Sequence, residues 1–143
     1  MENTKRQGHM AFTKISHIAI AVSDIAAAGR SFEKLTGTKV EREEDVPEQK
    51  VRVVMLPIGE SRLELVGPLD ASSTVAKFIS KCGEGIHHVC FEVLDINSEL
   101  KRLKDEGFQL IDETPRRGAD GNLIAFIHPR TTGGVLVELS QKK

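Results

Sequence analysis

Four residues of the chain are of types suited to chemistry and recur at matched spacing: His17, Glu64, His88 and Glu138. The stretch ISHIAIAVSDI, residues 15–25, is echoed 71 residues later by IHHVCFEVLDI, which aligns His17 with His88 and Asp24 with Asp95. A glutamate follows each copy, 47 residues after His17 and 50 residues after His88. Imidazoles and carboxylates in equal number suit a divalent first-row metal such as Zn, Co, Ni, Mn or Fe, with one or two positions left for water or substrate. A Ca or Mg site would be all oxygen instead. Taken singly, a histidine at a strand start or a glutamate in a strand is an ordinary half-buried or solvent-facing residue. Recurrence in register is what lifts the set above that background.

The elements that must position these residues repeat as well. Lys14 to Val22 alternates with a β period, which puts His17, Ala19 and Ala21 on a small, polar face and Ile18, Ile20 and Val22 on a packing face. Asp24 then caps a helix to about Leu35, striped by Ile25, Ala28, Phe32 and Leu35. Lys39 to Glu44, Val51 to Leu56 and Arg62 to Val66 read as strands. A linking helix, Val75 to Lys81, follows. The pattern restarts with the strand Ile86 to Val93 and a helix from Asp95 to about Glu106. Strands are expected at Phe108 to Asp112, Asn122 to His128 and Val135 to Ser140, with a polar loop from Thr114 to Gly121. The chain is thus read as α+β, two tandem βαβββ modules at about 14–67 and 85–141 in one domain, 14–143. Each module supplies a curved sheet, and the two enclose a cleft. His88 shares a face with Cys90 and Glu92. Glu64 and Glu138 oppose their leucine neighbours, so all four polar side chains are expected to meet in that cleft.

Composition narrows the partners. A net charge of −1 over 143 residues predicts neither a nucleic acid nor a membrane surface as partner. No apolar run reaches membrane-spanning length, and residues 1–13 lack a signal peptide's apolar core. The two cysteines, Cys82 and Cys90, form no CxxC pair, so a reducing cytoplasm is expected. Cys90 reads as a small packing residue. Residues 1–13 are an N-terminal extension or cloning remnant, and His9 is left out of the site.

With those residues in place, the chain resembles the vicinal oxygen chelate (glyoxalase/bleomycin resistance/dioxygenase) superfamily, and within it the methylmalonyl-CoA epimerases. The carriers are HIAI at 17–20, VPEQ at 46–49, LEL at 63–65, GPL at 67–69, GEGIHHV at 83–89, IHP at 127–129 and GGVLVEL at 133–139. The resemblance implies a divalent metal, Co2+ foremost with Zn2+, Ni2+ or Mn2+ as alternatives, held by His17, Glu64, His88 and Glu138. It implies an acyl-CoA substrate, interconversion of 2R and 2S methylmalonyl-CoA through a metal-stabilised enolate, and a homodimer. His87 is expected to point away from the site and to be structural.

Inversion needs an acid/base on each face of the planar intermediate. Glu138 is one candidate. Some family members carry the second glutamate where this chain has Val53, which leaves Glu48, in the preceding loop, as the nearest carboxylate. Arg116, Arg117, Lys101, Arg102 and Lys104 are weighed for the CoA phosphates and read instead as a solvated basic face. Two rival functions remain: a glyoxalase I-like lyase or isomerase, which could use the same His/Glu set, and a metal-free module that sequesters antibiotics, which the His and Glu positions count against.

Overall fold

A computed structural model describes residues 12–143. Most of the N-terminal extension therefore lies outside the described residues. In chain order the elements are β1 (Phe12–Ala21), α1 (Ile25–Thr36), β2 (Arg42–Val46), β3 (Val51–Ile58), β4 (Ser61–Pro68), α2 (Thr74–Cys82), β5 (Gly85–Val93), α3 (Ile96–Asp105), β6 (Arg116–Arg117), β7 (Leu123–Ile127) and β8 (Val137–Gln141). Two βαβββ runs joined by α2 are plain in that order, and the class is α+β.

The repeated aspartates do the same local work in both halves. Asp24 accepts a hydrogen bond from Ala27 N at the start of α1, and Asp95 accepts one from Ser98 N at the start of α3. Each satisfies a backbone donor that the first helical turn leaves over. Ser73 caps α2 in the same way, accepting from Val75 N and Ala76 N. Gly37, at φ 74°, closes α1 in the left-handed conformation that a Cβ would disfavour.

By contacts the chain forms two compact units. In the unit Ser16–Val89 the strands run in the order β2-β3-β4-β1-β5, with β1 parallel to β4 and β4 antiparallel to β3. Both faces of this sheet are packed. Ile20, Val22, Val54, Leu56, Leu63 and Leu65 meet Ile25, Ala28 and Phe32 of α1 on one face. On the other, Ala21, Val51, Val53, Met55 and Val66 meet Val75, Phe78 and Ile79 of α2. The small, polar face at His17, Ala19 and Ala21 is thus buried as well, with Ala21 packed in the cluster under α2.

The second unit holds residues 12–15 and Cys90–Lys143, with strand order β5-β8-β7-β6. Its core joins Val93, Ala125, Ile127 and Leu139 to Ile96, Leu100 and Leu103 of α3. Here the strand expected at Phe108 to Asp112 shrinks to one isolated bridge, Leu110 to Ile127. The cause is a side chain: Phe126 N donates to Asp112 Oδ2 at 2.8 Å, so a carboxylate takes the place of a ladder carbonyl. The short β6 falls instead within the expected polar loop, pairing Arg116 with Ile124 and Arg117 with Leu123. β2 begins three residues and ends two residues later than expected, and β8 starts at Val137 rather than Val135.

Candidate functional site

Three residues of the sequence-derived set meet within the unit Ser16–Val89. His17 on β1, Glu64 on β4 and His88 on β5 each show 7% of their surface, and one donor atom from each lies within 4.8 Å of the others. The register explains why. His17 pairs with Arg62 and Ala19 with Glu64, so β1 and β4 turn both functional side chains to one face. β5 lies on the other side of β1 and brings His88 alongside.

The rings are oriented. The Nε2 atoms of His17 and His88 are 3.2 Å apart, with the rings edge to face at 77°. The outward nitrogens have their own neighbours. His17 Nδ1 lies 3.3 Å from Glu64 Oε2 and 3.4 Å from Ser16 Oγ. His88 Nδ1 lies 2.9 Å from His87 Nδ1. Buried imidazoles and carboxylates are costly unless partnered, and these are partnered. The spacing fits a cation, because 3.2 Å between the Nε2 atoms is less than twice a metal–nitrogen bond of about 2.0–2.1 Å. His17, Glu64 and His88 thus form a donor set suited to a divalent metal.

Glu138, on β8, is buried at 7% exposure in the second unit, where it pairs with Phe126 of β7. Its neighbour Leu139 joins the core under α3, so Glu138 occupies the opposite face, as its alternation predicts. Cys90 is fully buried in that unit. Glu48 stands exposed in the turn Pro47–Lys50, which is closed by the bonds Gln49 N to Val46 O and Lys50 N to Pro47 O. Val53 is buried in the cluster with Ala21 and Val66, on the His17 face.

Three neighbours escaped the sequence reading. His87 was expected to point away, yet its Nδ1 meets His88 Nδ1, and its ring centroid lies 4.8 Å from that of Phe78 on α2. The His-His doublet was a visible signal for it. Ser16 offered none. Glu44 is the third: it lies directly across from Val53 in the β2–β3 register, so the row Ala21, Val66, Val53, Glu44 crosses four strands on one face. Glu44 pairs with Arg42 at 2.9 Å.

Four of the five basic residues named for CoA have partners of their own. Arg116 bonds Asp112 and stacks over Phe126, Arg117 bonds Gly121 O, Lys104 bonds Glu113, and Arg102 bonds Glu99. Lys104 is held above its usual pKa, chiefly by the hydrogen bond to Glu113.

A βαβββ repeat with a buried His/Glu donor set defines a class. Residues 16–126 match the glyoxalase/bleomycin resistance protein/dioxygenase superfamily, and the chain belongs to it. Within that superfamily the relatives are more particular. An ethylmalonyl-CoA/methylmalonyl-CoA epimerase of Cereibacter sphaeroides is 37% identical over 90% of this chain and 97% of its own. The mitochondrial methylmalonyl-CoA epimerase of Homo sapiens is 37% identical over 90% of this chain and 73% of its own. A methylmalonyl-CoA epimerase solved in complex with methylmalonyl-CoA and NH4+ superposes with a TM-score of 0.87 at 36% identity, covering 92% of this chain and 96% of that one. The chain is therefore a member of an epimerase family, a class of isomerases.

Proposed function

We propose that the chain interconverts the 2R and 2S forms of methylmalonyl-CoA, and that a divalent cation, Co2+ foremost with Zn2+, Ni2+ or Mn2+ as alternatives, is held by His17, Glu64, His88 and Glu138. The observation that carries this reading is the buried group His17, Glu64 and His88, in a chain whose relatives are named epimerases of acyl-CoA thioesters. When bound, the cation supplies Lewis-acid stabilisation of the negative charge that spreads onto the substrate oxygens as the C2 proton leaves.

The protein's residues do the rest. The apolar side chains of Val53, Val66, Val75 and Met55 on the His17 face exclude water, which strengthens every charge interaction there. Inversion requires one group to take the C2 proton and another to return one to the opposite face. Glu138 is the proposed acid/base on one side. Glu48 is the proposed acid/base on the other, with Glu44 as its alternative because it faces the same way as Val53. The reading includes a cytoplasmic homodimer.

Metal-stripped protein incubated with methylmalonyl-CoA in D2O, with and without Co2+, tests this reading. Cation-dependent deuterium entry at C2 together with epimer interconversion is expected. Glu48→Gln, or Glu44→Gln if Glu44 is the group, should allow exchange from one epimer and block inversion. Cation bound without any exchange would transfer the site to a glyoxalase-type substrate. No cation bound would favour the sequestering module.

A further inference from the structure

Resting on the cation-site reading, we infer that His87 is a positioning residue: it accepts the Nδ1 proton of His88 and so turns the Nε2 lone pair of His88 toward the cation. The argument begins with protons. A neutral imidazole carries one N–H, and the other nitrogen is an acceptor. His17 has its Nδ1 beside the Glu64 carboxylate, which accepts a proton donor and leaves Nε2 as the lone-pair atom. His88 Nε2, 3.2 Å away, can bond to that lone pair only by carrying the proton itself. Such a tautomer is useless for ligation, because both Nε2 atoms must present lone pairs to one ion.

The proton of His88 must then reside on Nδ1, and a buried Nδ1–H needs an acceptor. His87 Nδ1 stands 2.9 Å from it. With its own proton on Nε2, His87 receives that bond. The ring is held for the purpose, packed edge to face on Phe78 at 67° and 4.8 Å. Phe78 belongs to α2, whose N-terminus is capped by Ser73 and whose Val75 is buried in the His17-face core. The linking helix therefore supports one histidine through the other. Adjacent residues of a strand ordinarily face apart; here the paired rings meet at 77° with centroids 5.2 Å apart, which places the nitrogens in contact. Outer partners of this kind fix ligand tautomer and orientation, and their loss weakens metal binding about 10–100-fold.

The test compares Co2+ affinity of the full chain, by calorimetric titration of metal-stripped protein, for wild type, His87→Phe and His87→Gln. Phenylalanine keeps a ring against Phe78 and removes the acceptor; glutamine keeps an acceptor oxygen. His87→Phe should bind Co2+ about 10–100-fold more weakly, with a melting temperature in the metal-free state close to wild type, and His87→Gln should recover most of the loss. Equal affinity in His87→Phe and wild type overturns the inference and leaves the cation site standing. Failure of wild type to bind Co2+ overturns both. A second measurement needs no variant: in the Zn2+-loaded protein, 15N spectra of the imidazoles should show the His88 proton on Nδ1. A proton on Nε2, or Nδ1 as the ligating atom, overturns the inference.

Discussion

At the scale of single residues, the two imidazoles are alike in type and unlike in setting. His17 is backed by a carboxylate and a hydroxyl, Glu64 and Ser16, whereas His88 is backed by a second imidazole. Glu64 therefore has a second role beside the cation binding proposed for it. Glu64→Gln keeps an oxygen that accepts from His17 Nδ1, and is expected to bind Co2+ within about tenfold of wild type, whereas Glu64→Leu should lose at least about 100-fold, leaving His17 Nδ1 without that acceptor. Co2+ titration of both variants checks this, and equal losses in the two would exclude the orienting role. His17, Glu64 and His88 were legible in the sequence because duplication repeats residue type and register together. His87 was not, because the alternation rule assigns faces to Cβ atoms and says nothing of how two neighbouring rings tilt toward each other. Glu44 was hidden for another reason: that it faces the same way as Val53 follows only from the β2–β3 register, which the turn between the two strands sets.

Among the elements, capping aspartates and glycine stops gave the helices to within a residue or two, since those signals are local. The strands of the second half were harder. Asp112 reads as the end of a strand, yet its carboxylate bonds Phe126 N and Arg116, so a side chain ends the ladder where backbone pairing was expected. The two-residue β6 has no signature at all; its position follows from tertiary packing of the following turn against β7. That packing is tight. A Cβ on Gly118 would meet Ile124 Cγ2 and Cδ1 at 2.8 Å. Gly118→Ala should therefore cost about 1–3 kcal/mol of stability through overpacking, read as a lowered urea midpoint at unchanged slope. A midpoint equal to wild type would mean that Ile124 yields without cost. The caps carry a matching expectation: Asp24→Ala and Asp95→Ala should each cost about 1 kcal/mol, in nearly equal amounts because the two bonds are equivalent, at 3.0 and 3.2 Å. Chemical denaturation of both variants measures the pair.

For the whole molecule, a cation that binds the folded chain and not the unfolded one adds stability by mass action. With free Co2+ at 100 times its dissociation constant, the gain is about 2.7 kcal/mol. Stripping the metal with a chelator should thus lower the melting temperature, and the drop should vanish in His88→Ala. A chelator effect that survives in His88→Ala would place the stabilising cation elsewhere. Among the described residues, no helix is long and apolar enough to cross a membrane.

The linking helix has a consequence of its own. α2 joins the two βαβββ runs and belongs to neither. Through Phe78 it touches His87, the neighbour of His88, whereas the neighbour of His17 is Ser16. The repeat written into the sequence is therefore broken at its own seam, and the two imidazoles end up with different backing.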